Sequence, residues 1–145
     1  MLAATMMIAL LSRQSPAAVM GFDQEKTVHY FRLYTDGGAI EVAVLDAADA
    51  KNRDAIRSHL PHIAMMFGEG NFDLPMLVHN SADVPGTKVM AARKDVIRYR
   101  YEETPAGGRV SITTTDPEAL TAVHAFLRYQ IVEHKTGDPT VAQKR

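Results

Sequence analysis

The sequence predicts an α+β fold: a duplicated ββα unit giving a four-stranded antiparallel sheet with two helices on one face. Three observations carry this expectation. Runs of alternating apolar and polar residues flank a turn at Asp36-Gly37-Gly38, and a second such pair flanks Thr104-Pro105-Ala106-Gly107-Gly108. An amphipathic stretch follows each pair. The two halves also align. Gly37-Gly38-Ala39-Ile40-Glu41-Val42 corresponds to Gly107-Gly108-Arg109-Val110-Ser111-Ile112, and Ala55-Ile56 through Leu60 corresponds to Ala122-Val123 through Leu127.

Residues 1–20 stand apart. Leu2 to Leu11 is an apolar run interrupted only by Thr5, too short to span a bilayer. Ser15-Pro16-Ala17-Ala18 supplies small residues at a cleavage-site position, as in a secretory leader. The run has no basic stretch before it, because Arg13 follows it. Two readings result: an exported, periplasmic or secreted protein whose leader is removed, or a cytoplasmic one with Met20 as its first residue. The folded part is expected over 21–138 as one domain, with the repeats at about 27–67 and 96–134 and a loose tail at 139–145.

Within the first repeat, Thr27 to Leu45 reads as a hairpin in which His29, Phe31 and Leu33 share one face. Ala47 to Phe67 reads as a helix whose stripe is Ile56, Leu60, Ile63 and Phe67. Pro61 predicts a kink or a fresh first turn, and Gly68 and Gly70 a stop. Leu74 to His79 reads as a short extended segment in an irregular connection, and Thr87 to Lys94 as a short helix carrying Met90. In the second repeat, Val96 to Asp116 is a hairpin. Asp116-Pro117-Glu118 then opens a helix: a capping carboxylate, a proline in the first turn and an acid near the positive end of the dipole. Its stripe is Leu120, Val123, Leu127 and Ile131, with His124 and His134 near it. Gly137 and Pro139 end it.

Composition restricts the function. With 46% apolar and 23% charged residues the chain is ordinary globular protein. Net charge is −1, so no overall field favours nucleic acid. Basic and aromatic residues do interleave at Arg98-Tyr99-Arg100-Tyr101, but this matches plain strand alternation, and Glu102-Glu103 follow. The absence of cysteine removes disulfides, thiolate catalysis and cysteine-ligated zinc.

The residues that suggest chemistry cluster between His59 and His79, where imidazoles and thioethers flank the Gly68-Glu69-Gly70 break. Thioether sulfur selects soft ions, and imidazole accepts copper or zinc. The expected metal set is His62 and Met66 from the helix, Met76 and His79 from the following loop, and His29 from the first strand. His59 and Met90 stand in reserve, and copper is the ion expected. The spacing matches no strict metal motif, and methionine is also a common core filler. A competing expectation is an interaction domain, a homodimer or a partner-binding module, using an open sheet face that carries Val28, Tyr30, Tyr34 and Ala43. Proton transfer by His29 or His124 is a third reading. It is the weakest, because no nucleophile–base pair is legible.

Gly21-Phe22-Asp23-Gln24-Glu25-Lys26-Thr27, the Asp36-Gly37-Gly38 turn and Pro75-Met76…His79 resemble a family of small bacterial proteins usually made with an export leader. The resemblance spans most of residues 20–138. It implies export and brings no mechanism with it. Some such proteins are labelled aspartate carbamoyltransferase. That activity requires a Ser-Thr-Arg-Thr phosphate loop and two large α/β domains, and this sequence contains neither.

Overall fold

The computed structural model describes residues 20–145, so the expected leader lies outside the described residues. A short 3₁₀ turn, Gln24–Lys26, leads into strands β1 (Thr27–Tyr34) and β2 (Gly37–Val44). Helix α1 (Ala50–Gly68) follows, then the short helices α2 (Asp73–Val78) and α3 (Thr87–Ala92). Strands β3 (Ile97–Thr104) and β4 (Gly107–Thr114) precede helix α4 (Pro117–His134). The sheet order is β1-β2-β4-β3, antiparallel throughout. No helix among the described residues is long and apolar enough to cross a membrane.

The duplication becomes a rotation axis. In the central β2/β4 pair, Ile40 lies opposite its own counterpart Val110. Gly37 lies opposite Thr113, and Ala43 opposite Gly107. Pairing is thus conserved under exchange of the halves, which defines a pseudo-two-fold normal to the sheet. Glycine permits the close approach at the ends of this pair. A Cβ on Gly107 would sit 2.1 Å from the Val42 carbonyl oxygen.

Each helix lies chiefly on the other repeat's hairpin, α1 on β3 and β4, α4 on β1 and β2. Equivalent donors fasten the exchange. Arg57 of α1 donates from Nε to the Gly107 carbonyl at 3.1 Å and from Nη2 to that of Thr104 at 2.9 Å. His124, in the same place on α4, shares its Nε2–H between the carbonyls of Tyr34 at 2.8 Å and Gly37 at 2.9 Å. That bond fixes the tautomer of His124 and gives it a structural task.

Both long helices start as their sequences imply. Asp49 accepts from the Asn52 amide and Asp116 from the Ala119 amide. α1 carries Pro61 in its interior and continues past it, ending at Gly68. Proline removes one helical hydrogen bond, and the buried stripe of Ile56, Leu60, Ile63 and Phe67 holds the rest in place. Two expectations are corrected. Leu74 to His79 is not extended: Asp73–Val78 is a helical turn and a half whose Pro75 sits in the first turn, buried against the core. The tail is not loose either. Gln143 pairs with the edge of β1, its amide donating to Leu33 and its carbonyl accepting from Thr35, while Asp138 accepts from the Phe31 amide at 2.9 Å and from Arg32. Edge strands expose unpaired backbone groups, and the tail fills those of β1.

Candidate functional site

A cavity of about 60 Å³ lies between β1, α1, α2 and the C-terminal half of α4. Its walls are mainly apolar, with Phe31, Leu60, Ile63, Phe67 and Phe126 among them. Four imidazoles also line it: His29 from β1, His59 from α1, His79 from just beyond α2 and His134 from the end of α4. Gln130, one turn before His134, completes the set and is 4% exposed.

These rings pack on one another. His29 and His134 stack with centroids 5.1 Å apart, and His79 meets His134 edge-on at the same distance. Phe22 lies against both His29 and His59, at 6.0 and 5.7 Å. Only His79 has a side-chain partner, donating its Nε2–H to Gln130 Oε1 at 2.7 Å. The Nε2 atoms of His29, His59 and Gln130 are buried without any partner. A buried donor or acceptor left unpaired costs about 1–3 kcal/mol.

Burial sets the charge of the cluster. Desolvation pushes His29 from its ordinary 6.5 down to about 4, with help from the neighbouring His134 and His59. His134 is pushed down to about 4 by desolvation and then by His79, and His59 to about 4 by desolvation and then by His62. All three are therefore neutral near pH 7. Each has an unprotonated nitrogen and an N–H, so each has one acceptor and one donor to offer a ligand.

Comparison of the two repeats locates the departure from a plain core. His29 corresponds to Tyr99, His59 to Phe126, Gln130 to Ile63 and His134 to Phe67. In the other half, Phe67 meets Tyr99 and Phe126 edge-on at 5.8 Å in both cases. One copy of this site is thus filled with aromatic and aliphatic side chains. The other holds imidazoles and an amide around a cavity.

Of the expected metal set, the structure brings His29 and His79 together, and His59 from the reserve joins them. His62 is solvent-exposed on the outer side of α1. Met66 and Met76 are half-buried against the core, away from the cavity lining, and Met90 is completely buried. His59 and His62, three residues apart on α1, differ in direction by about 60°. That angle separates the cavity from the solvent here. Among the described residues, no group of three or more His, Cys, Asp or Glu side chains is placed to hold one metal ion.

Sequence reasoning missed Gln130 and His134 as site residues. The signal was present in the repeat alignment, where both stand opposite large apolar residues. On the open sheet face, Val28, Tyr30, Tyr34 and Ala43 are half-buried. Arg32 stacks on Tyr30 at 4.8 Å and Arg145 on Tyr34 at 4.3 Å, so the apolar strip is partly covered by the chain's own cations. Compared with protein-family models, curated proteins and solved structures, the chain matches none.

Proposed function

We propose that this chain is a binding protein whose ligand is a small, uncharged, mostly apolar molecule carrying a hydrogen-bonding group, held in the histidine-lined cavity. The supporting observation is the contrast between the repeats. The same fold position carries Phe67, Tyr99, Phe126 and Ile63 in the other half, where the Tyr99 hydroxyl is the one buried polar atom of that set without a partner, against three such nitrogens around the cavity. Departures from core rules of this kind are characteristic of functional sites. A ligand that supplies the missing partners recovers the energy these groups lose in the empty protein.

Size and charge define the class. About 60 Å³ exceeds what one water needs, yet it is well below the 300–1,000 Å³ of drug-sized pockets. Neutral imidazoles offer no counter-charge, so an uncharged ligand is favoured over an anion or a cation. Export as a leader-bearing protein remains part of the reading and rests on the Leu2–Ala18 stretch.

The test compares the wild type with a variant in which His29→Tyr, His59→Phe, Gln130→Ile and His134→Phe copy the other repeat. Isopropanol and acetamide are the probes, chosen for a cavity of about 60 Å³. Saturable thermal stabilisation of the wild type, lost in the variant, supports the proposal. No stabilisation, or equal stabilisation of both proteins, overturns it. Stabilisation by copper or zinc ions but by neither probe would replace this ligand class with the soft-metal one.

A further inference from the structure

The two edges of the sheet are treated differently. The edge of β1 is closed by the chain itself, through Asp138 on the Phe31 amide and Gln143 on Leu33 and Thr35. Tyr101 is the counterpart of Phe31; the Ile97 N–H at the start of β3 is taken by the Lys94 carbonyl, and among the described residues nothing pairs with the outward backbone groups of Tyr99, Tyr101 and Glu103. All eight residues of β3 are in continuous register with β4, so no bulge twists this edge away.

The register shows which groups the edge offers. Thr104 and Gly107 flank the two-residue turn and form the first hydrogen-bonded pair of the β3/β4 hairpin. Arg98, Arg100 and Glu102 therefore turn their backbone groups to β4. Ile97, Tyr99, Tyr101 and Glu103 turn theirs outward. The side chains of Arg98, Arg100 and Glu102 stand on the open face, where Glu102 Oε1 accepts from Arg109.

We infer that β3 pairs with β3 of a second copy of this chain, antiparallel and centred on Tyr101, joining two sheets into one of eight strands. This register makes Tyr101 a hydrogen-bonded pair with itself, using outward backbone groups on both sides. Arg100 then lies opposite the partner's Glu102 in a non-hydrogen-bonded pair, where side chains approach most closely, and symmetry repeats the contact. Neighbouring registers are penalised. Centring on Arg100 sets two guanidinium groups face to face between two Arg98–Glu102 pairs, a repulsion that the Tyr101 register does not carry. Centring on Glu102 opposes two carboxylates. Centring on Tyr99 puts Arg98 opposite the partner's Arg100. The charge order of this strand thus selects one self-pairing among those the backbone allows.

Sedimentation equilibrium on the full chain, at concentrations up to about 1 mM, tests the inference. The wild type is expected to dimerise. Arg100→Glu or Glu102→Arg alone should raise the dissociation constant at least about tenfold, because two attractive pairs become repulsive. The double reversal should restore dimers. Circular dichroism checks that each variant is folded. A second variant reads the register directly: Arg100→Cys with Glu102→Cys. The natural chain has no cysteine, and directly opposed non-hydrogen-bonded residues lie about 4.5 Å apart, within disulfide reach. Covalent dimers on mild oxidation support the pairing. A monomeric wild type overturns the inference. So does a dimer that neither responds to the reversals nor crosslinks.

Discussion

Acidification should destabilise this protein well before its carboxylates are protonated. His29 is pushed from 6.5 to about 4 by burial, so the unfolded chain takes up the proton first. Its contribution to stability is complete above pH 6.5. It falls as pH drops through 6.5 and is fully lost below about pH 4. At pH 5 the loss from a shift of this size is about 2 kcal/mol, rising to about 3 kcal/mol at the lower limit. His59 and His134 shift the same way. They are less buried, and solvent screening reduces what each contributes to about half of that. Together the cluster should cost about 4 kcal/mol between pH 7 and pH 5, a large share of a typical domain's 5–15 kcal/mol. Urea unfolding at the two pH values measures this directly, as a fall in midpoint at constant slope. His29→Phe should remove about 2 kcal/mol of the pH dependence. An unchanged wild-type midpoint between pH 7 and pH 5 would refute the reasoning. So would an unchanged pH dependence in His29→Phe.

Four further outcomes follow from the scaffold. His124→Ala removes the shared donor at the Tyr34 and Gly37 carbonyls and should cost about 1–2 kcal/mol, seen as a lower urea midpoint. Arg57→Ala at the equivalent place should cost about as much, and the two should add, because they hold opposite hairpins. Gly86→Ala should cost about 3 kcal/mol or more by the same measurement. Gly86 has φ +83° and its added Cβ would meet the Ala122 carbonyl oxygen at 2.1 Å, prying α3 from α4. Asp138→Ala leaves the Phe31 amide without its acceptor and releases Arg32; hydrogen exchange at Phe31 should accelerate at least about tenfold while β4 amides stay protected.

Much of the fold was legible because its signals are local. Alternation around Asp36-Gly37-Gly38 and around Pro105-Ala106 specifies hairpins, and Asp116-Pro117 starts a helix with little tertiary help. The segment around Pro75 is not legible, because a six-residue helix has almost no periodicity of its own and is held by packing. The tail is not legible for a related reason. Its partners, the Phe31 amide and the edge groups of Leu33 and Thr35, are distant in sequence. The candidate site was half legible. His29, His59 and His79 attracted attention as imidazoles, but local spacing cannot say that α4 crosses onto β1 and delivers His134 and Gln130 beside them. Met66 and Met76 pack, partly buried, against the core rather than lining the cavity.

The central claim is that the four imidazoles form one ligand-contacting unit. Histidine-selective NMR during titration with isopropanol tests it most directly. His62, exposed on α1, and His124, committed to the hairpin carbonyls, serve as internal controls. Saturable shifts confined to His29, His59, His79 and His134 are predicted. Shifts spread evenly over all six histidines, or none at any, would contradict the account.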